Sequence, residues 1–501
     1  MNFCEDCGAP LTPGVRFCEN CGARISDADY ASQNSVSNKD STNNEKGIIY
    51  TNVELLSSRI GFMPEDILGM LDDIIDARKH DGIEYELFDI SEKISDNDSI
   101  EEHISLIKEA VSNGQRYLFI IGGPDIIPAC VWENRASDVE YDSDVSSDLP
   151  FATLDADSPF NGKKYDFDNL LYVGRLPDSA FMNYLGNITC YNTPSSVNAF
   201  SMSAMVWQME TMDTYSKVCE ATGGYNNADM LTSPEYEVAD VPDNLPAETN
   251  LLLFNLHGSN QAEFWYGQEG NNYPEAISPD SFNHIWVPYF LAVEACYGAR
   301  YENLEPSESV LLSAMNNKCI SFLGSSRIAF GTAEPEGTCA DVICCEYLLN
   351  VLHGMRAGEA FNLARKKLME NVDPEVIKTL AEFSLYGDPT VKITANVEKS
   401  VLSATKTKER KIKGLIGTMP DIRNAVRLEL VKVDEKITSV AEEFIQRYPW
   451  MKGAEAKYYR NTASTSGEIN AVFTKKNAFG PQLVSITISR DGRIQKYKET
   501  K

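Results

Sequence analysis

Two residues of this 501-residue chain have the type and placement for covalent catalysis. His257 closes the apolar run Leu251-Leu-Leu-Phe-Asn-Leu256 and precedes Gly258, and Cys296 follows the apolar stretch Val287 to Val293 within Glu294-Ala-Cys-Tyr-Gly298. A cysteine thiolate can attack a carbonyl carbon, and an imidazole can protonate the leaving amine and then activate water. The amides of Gly258 and Cys296 would face the developing oxyanion. Taken singly, each is also a residue that a core holds inertly. At the ends of consecutive strand units they read as base and nucleophile.

A second set is Cys4, Cys7, Cys18 and Cys21, carried by the repeat Cys4-Glu-Asp-Cys7-Gly8 and Cys18-Glu-Asn-Cys21-Gly22. Two C-x-x-C-G turns supply four thiolates for one tetrahedral ion, which reads as a structural Zn2+ with no open position for substrate. A redox dithiol pair would need a surrounding βαβ pattern that this segment lacks. Of the other histidines, His80, His103 and His353 read as surface residues in polar helical surroundings or near a helix end. Glu210 and Asp213 follow another strand from which they could reach the same cleft, and read more simply as the solvated start of a helix. Asp142, Asp144, Asp148, Asp155 and Asp157 form an acidic loop that reads either as a Ca2+ site or as a solvated loop, since their spacing fits no defined calcium motif.

The elements that must position these groups alternate strand and helix. Helices are expected at Pro64 to Arg78, Ser99 to Ser112, Ala340 to Leu352 and Glu359 to Met369. Strands are expected at Glu84 to Asp89, Tyr117 to Ile121, Leu170 to Gly174, Met202 to Gln208, Thr249 to Leu256, Tyr289 to Glu294 and Cys319 to Leu323. This is the grammar of an α/β fold with a mostly parallel sheet between helices, whose active groups gather beyond the carboxyl ends of the strands. The expected organisation is a zinc ribbon at 1–24, a Ser/Asn/Asp-rich linker at 25–46, the α/β domain at 47–398, a basic linker at 399–413, and a small basic α+β domain at 414–501. In that last domain strands are expected at Asn424 to Val433, Glu468 to Thr474 and Gln482 to Ser489, and a helix at Lys436 to Arg447.

Forty-five Lys plus Arg against 74 Asp plus Glu give a net charge of −29, which argues against nucleic acid or anionic lipid as a partner of the whole chain. The charge is unevenly spread: residues 399–501 carry 21 Lys plus Arg against 11 Asp plus Glu, a net of +10, which leaves −39 for residues 1–398. Nucleic acid stays open as a partner for the basic tail alone, and docking of that tail on the acidic body is the simpler expectation. No apolar run is long enough for a membrane span, no export signal is read, and twelve cysteines are too few for a disulfide scaffold, so a reducing cytoplasm is expected.

Residues 115 to 393 resemble the gingipain-like cysteine peptidases of the caspase-haemoglobinase fold, the clan that also holds caspases, legumains, clostripain and separase. The resemblance is carried by Ile121-Gly-Gly-Pro-Asp-Ile-Ile-Pro128, Ser147-Asp-Leu-Pro-Phe-Ala-Thr-Leu-Asp-Ala-Asp157, Val173-Gly-Arg-Leu-Pro177, Asn255-Leu-His-Gly258, Glu294-Ala-Cys-Tyr-Gly298 and Leu385-Tyr-Gly-Asp-Pro-Thr-Val391, in that order. It implies that His257 and Cys296 form a catalytic dyad that forms an acyl-enzyme. It also implies that Glu294, two residues before the nucleophile, lines the pocket for the side chain before the scissile bond, where a carboxylate selects Arg or Lys. An Asn preference competes, because Glu-Ala-Cys also occurs in legumains, and so does a role for Glu294 in merely holding the turn.

By the same analogy Ser325, Ser326 and Arg327 form a pocket wall. Arg327 pointing inward would neutralise Glu294 and favour Asn or an acidic side chain; pointing outward it leaves basic selection intact. The resulting expectation is a cytoplasmic cysteine endopeptidase that acts on protein or peptide substrates after basic residues, with its zinc ribbon or basic C-terminal domain engaging a protein partner. The alternative is a catalytically silent zinc-ribbon adaptor that uses the peptidase fold as a scaffold.

Overall fold

The computed structural model describes residues 45–222, 230–393, 428–462, 466–477 and 480–501. The chain divides into two compact units, Met1–Glu45 and Lys46–Lys501. The ribbon cysteines, nearly all of the 25–46 linker and the whole 399–413 linker lie outside the described residues.

In chain order the strands are β1 (Glu45–Thr51), β2 (Ile83–Asp89), β3 (Tyr117–Ile121), β4 (Cys130–Glu133), β5 (Asp144–Ser147), β6 (Tyr172–Leu176), β7 (Ala199–Ala204), β8 (Met230–Ser233), β9 (Leu251–Asn255) and β10 (Trp265–Tyr266). They continue with β11 (Glu275–Ile277), β12 (Tyr289–Val293), β13 (Cys319–Ser325), β14 (Phe330–Gly331), β15 (Phe383–Gly387), β16 (Leu428–Leu430), β17 (Glu455–Asn461), β18 (Ile469–Asn477), β19 (Gly480–Ile488) and β20 (Ile494–Thr500). Ten of them form one sheet in the order β2-β1-β3-β6-β15-β13-β12-β9-β7-β8.

Strands β3, β9, β12 and β13 are buried at every residue, as expected where helices cover both faces and alternation disappears. Pairing is parallel from β13 through β12, β9 and β7 to β8, and antiparallel between β13 and β15. The helices Pro64–His80, Ile100–Ala110, Ala340–Leu352 and Ala357–Leu368 fall where periodicity places them, within a few residues at each end.

Two expectations fail in this unit. The strand expected over Met202 to Gln208 ends at Ala204, and the chain turns at Met205–Trp207 into the helix Gln208–Ala221, so Trp207 and Glu210 sit just past a strand end. His103 is buried and not on the surface: its ring lies between Tyr50 Oη at 2.8 Å and the Asn97 carbonyl at 2.9 Å. A helical position with polar neighbours gave no sign of that, because the partners come from a strand fifty residues earlier and from a loop.

The C-terminal residues build a second, six-stranded sheet in the order β14-β20-β19-β18-β17-β16, packed on the helix Glu435–Ile445. Its outermost strand β14 is a short segment of the α/β body outside the ten-stranded sheet, so β20 ties the second sheet to that body. Lys457 pairs with Glu140, Lys496 with Asp373 at 3.1 Å, and Lys498 with Asp373 and Glu375, which docks the basic tail on the acidic body. No helix among the described residues is long and apolar enough to cross a membrane.

Candidate active site

Register brings His257 and Cys296 together. Val293 of β12 lies opposite Phe254 of β9, and each functional residue stands three positions further along the chain, past the strand end. The two turns are so close that a Cβ on Gly258 would lie 1.7 Å from the Cys296 carbonyl oxygen, which only glycine can accommodate. Gly258 and Cys296 line one cavity of about 180 Å³ with His257, Ser259 and Tyr297.

The imidazole is held on three sides. Trp207 packs against it with ring centroids 4.3 Å apart, Tyr273 meets it edge-on at 5.6 Å, and Nε2 lies 2.7 Å from Gln268 Oε1. Gln268 Nε2 donates to the Gly270 carbonyl and to Tyr273 Oη, which fixes its oxygen toward the histidine. Gln268 Oε1 is thereby set to accept from Nε2. Burial lowers the His257 pKa to about 4. Burial also raises the Cys296 thiol well above its ordinary value, and Sγ donates to the Ala329 carbonyl at 3.5 Å. Both groups rest uncharged.

Tyr297, directly after the nucleophile, takes a left-handed backbone conformation at φ 50°. Its amide donates to the Arg327 carbonyl at 2.7 Å and its hydroxyl to Asp142, whose other oxygen accepts from the Ile328 amide at 2.6 Å. Asp142 also pairs at 3.0 Å with the buried Lys378. The remaining loop aspartates face separate cations: Asp144 pairs with Arg327 at 2.6 Å, Asp148 with Arg175 at 2.6 Å, and Asp155 with Lys163, beside which Asp157 lies exposed. The loop is thus neither a convergent Ca2+ site nor simply solvated. Its aspartates bind protein cations, and Asp142 together with the Asp144–Arg327 pair braces the nucleophile turn.

Beside the dyad lies a closed acidic pocket. Glu294, Glu210 and Asp341 are buried with carboxylate oxygens within 4.8 Å of one another. Among them lies the side chain of Lys501, the last residue of the sequence. Its ammonium is 2.9 Å from Asp341 Oδ1 and 3.9 Å from Glu294 Oε2, donates to the Thr332 carbonyl at 3.2 Å, and sits 4.3 Å from the centre of a Trp207 ring. Burial opposes that charge, but Asp341, Glu210 and Glu294 together raise the Lys501 pKa. The Glu294 pKa is pushed well up by burial and by its two carboxylate neighbours. Burial, followed by the charge of Asp341, raises Glu210 to about 8. The Cys296 amide donates to the Lys501 carbonyl at 3.3 Å, and His257 is hydrogen-bonded to the Lys501 backbone.

The site differs from the sequence expectation in two respects. Glu210 is buried, held by Thr214 Oγ1 at 2.9 Å and Asn255 Nδ2 at 2.8 Å, where a solvated helix start was expected. The wall against Lys501 is Ala329 to Thr332 and not Ser325 to Arg327. Ser325 Oγ ties off its own turn on the Arg327 carbonyl, while Ser326 and Arg327 line a neighbouring cavity of about 220 Å³ with Arg327 turned to Asp144. Asp341, Trp207, Gln268, Gly331 and Lys501 went unread, because each is brought in from a segment with no motif of its own. The nearest signal was the helix start at Ala340, which placed Asp341 at an element end.

The family model for peptidase family C25 matches residues 59–394, and the model for a zinc-ribbon domain matches residues 3–25. The chain belongs to peptidase family C25: it is a gingipain-like cysteine peptidase with a zinc-ribbon domain at its N-terminus. Among solved structures it is similar to the Arg-specific cysteine proteinase gingipain R, with 10% identity and a TM-score of 0.50 over 92% of this chain and 98% of that one. It is equally similar to the complex of the pro- and mature domains of a gingipain from Porphyromonas gingivalis, with 10% identity and a TM-score of 0.50 over 91% and 99%. No curated protein matches it in sequence.

Proposed function

We propose that this peptidase is an endopeptidase that cleaves after basic residues, lysine first, through Cys296 and His257. The observation that carries the reading is a lysine seated beside the dyad, its ammonium among Asp341, Glu294 and Glu210 and its carbonyl against the Cys296 amide. A substrate lysine held in the same way would present its carbonyl carbon to Sγ. Cys296 gives up its proton to His257 and attacks, the oxyanion takes the Cys296 amide, with Gly258 lining the same cavity, and the protonated imidazole delivers its proton to the leaving amine. Water, deprotonated by His257, then releases the acyl group from sulfur. Glu294 is the floor of the pocket in this reading, and Arg327 is turned away from it to pair with Asp144.

Full-length protein is expected to hydrolyse lysyl peptides faster than arginyl ones and both far faster than asparaginyl or aspartyl ones, and Cys296→Ala to remove all of this. Hydrolysis that survives Cys296→Ala refutes the dyad. Preferential cleavage after Asn or Asp refutes the pocket and leaves the dyad standing, and an inert wild type that resists an electrophilic cysteine probe returns the adaptor reading.

The four ribbon cysteines have the donor chemistry of a structural zinc site, so Cys4, Cys7, Cys18 and Cys21 are proposed to hold one Zn2+ per chain. Metal analysis of wild type and Cys18→Ser checks this. All eight described cysteines are free, which supports a reducing compartment such as the cytoplasm.

A further inference from the structure

Lys501 reaches the pocket as the end of an ordered strand and not as a loose terminus. β20 pairs with β19 along Val484↔Glu499 to Ile488↔Ile494, and its far side adds antiparallel to the cleft wall along Phe330↔Thr500 and Gly331↔Glu499. The Lys501 amide donates to the Ala329 carbonyl at 3.0 Å. Strand addition of this kind is how an extended peptide is bound by a sheet edge, with backbone bonds supplying affinity and alternate side chains supplying selectivity.

The side chains follow that division. Lys501 fills the acidic pocket, Glu499 accepts from Trp207 Nε1 at 2.6 Å, and Lys498 pairs with Asp373 and with Glu375 at 3.3 Å. Gln482 of β19 closes the same corner, its Nε2 lying 3.2 Å from Gln268 Oε1, the atom that faces His257. Cys296 is 5% exposed under this cover.

We propose that β20 with Lys501 is a resident, substrate-like ligand of the cleft, bound as the acyl half of a peptide reading Lys-Glu-Thr-Lys up to the scissile bond, and that it holds the enzyme shut in cis. The inference rests on the proposed role of the pocket and extends it: lysine is read next to the scissile bond, a carboxylate acceptor two residues earlier meets Trp207, and a second lysine three residues earlier meets Asp373 and Glu375. Tethering through the β19–β20 ladder keeps the local concentration of this ligand on the order of millimolar, so a free substrate must compete with it or the tail must be drawn out by another surface.

The test separates occupancy from catalysis. Iodoacetamide alkylation of Cys296, followed by peptide mass spectrometry on full-length protein, needs no peptidase activity, and the buried Cys319 and Cys344 serve as internal references for unfolding. Lys501→Ala is expected to raise the rate at Cys296 at least about tenfold with the references unchanged. Added peptide Ile-Gln-Lys-Tyr-Lys-Glu-Thr-Lys should restore protection, and the same peptide ending in alanine should not. If Lys501→Ala also opens the references, the reading is taken from Lys496→Ala, which loosens the strand outside the pocket and should give a smaller but still selective rise.

Equal Cys296 rates in wild type and in the folded variants overturn the proposal, as does protection by the alanine-ended peptide. Selective release without any lysyl hydrolysis leaves the occupancy standing and refutes the function. Lysyl hydrolysis that is equally fast with and without Lys501 keeps the function and refutes the occupancy.

Discussion

Replacing Asp341 by asparagine removes one charge from the pocket and almost none of its shape. Asp341 Oδ1 lies 2.9 Å from the Lys501 ammonium, while Oδ2 accepts from the amides of Thr332 and Thr338, each at 2.9 Å. The amide oxygen of asparagine can keep both backbone bonds, and doing so turns its NH2 toward the incoming ammonium. Hydrogen bonds to charged groups contribute about 1.5–3 kcal/mol, and breaking a buried ion pair costs about 3–5 kcal/mol. Glu294 at 3.9 Å and Glu210 remain to offset part of the loss, so the lower half of that span applies, about 2–3 kcal/mol. At about 1.4 kcal/mol per tenfold, kcat/KM for a lysyl peptide should fall about 30- to 150-fold. The assay compares lysyl with norleucyl peptides, both in the Lys501→Ala background so that the resident lysine does not compete. The norleucyl value should change little or rise. An equal fall for both peptides would mean that Asp341 only supports the wall through Thr332 and Thr338, and an unchanged lysyl value would remove it from recognition altogether.

Two further predictions follow from the same pocket. A Cβ at Gly331 would lie 2.0 Å from Lys501 Cε and 2.5 Å from Asp341 Oδ1, so Gly331→Ala should reduce lysyl hydrolysis by about a hundredfold or more while accelerating Cys296 alkylation, because the same methyl expels the resident lysine; slow alkylation in this variant would contradict the packing argument. Glu210 has a folded pKa of about 8 against an ordinary 4.5, so its proton stabilises the fold below about pH 4.5, and that contribution is lost as pH rises through about 8. Glu210→Gln, which cannot ionise, should therefore gain stability on wild type by about 3 kcal/mol more at pH 8 than at pH 5 in urea titrations, and a difference flat with pH would place the titration elsewhere.

How much of this was legible in the chain depends on whether a residue's neighbours are local. His257 and Cys296 could be found because each ends an apolar run, and a parallel sheet puts the carboxyl ends of adjacent strands at one edge wherever the loops travel. Glu294 is two residues from the nucleophile and comes with it. Glu210 stands at a helix start as expected, but its burial was missed, and Trp207 went unread because a helical turn at Met205–Trp207 replaces the last residues of an expected strand.

The strand β20 was not read at all. Ile494-Gln-Lys-Tyr-Lys-Glu-Thr500 carries no apolar alternation, since its exposed end holds Ile494 beside Gln495 and Lys496 and its buried end holds Lys498, Glu499 and Thr500. Propensity alone would leave it a charged tail; pairing with β19 on one side and Phe330–Gly331 on the other makes it a strand, and carboxylates from four other segments make its lysines buriable. The opposed charges of body and tail, +10 against −39, were written in the composition and forecast that the two would meet.

The sequence alone therefore determined the layered α/β fold, the peptidase family, the dyad candidates and the attraction between tail and body, because these rest on period, strand ends and net charge. Only the tertiary structure decided what fills the pocket. The carboxylates at 210, 294 and 341 and the lysine at 501 are close only after the sheet has set its register and β20 has joined its edge, and no spacing along the chain encodes that meeting.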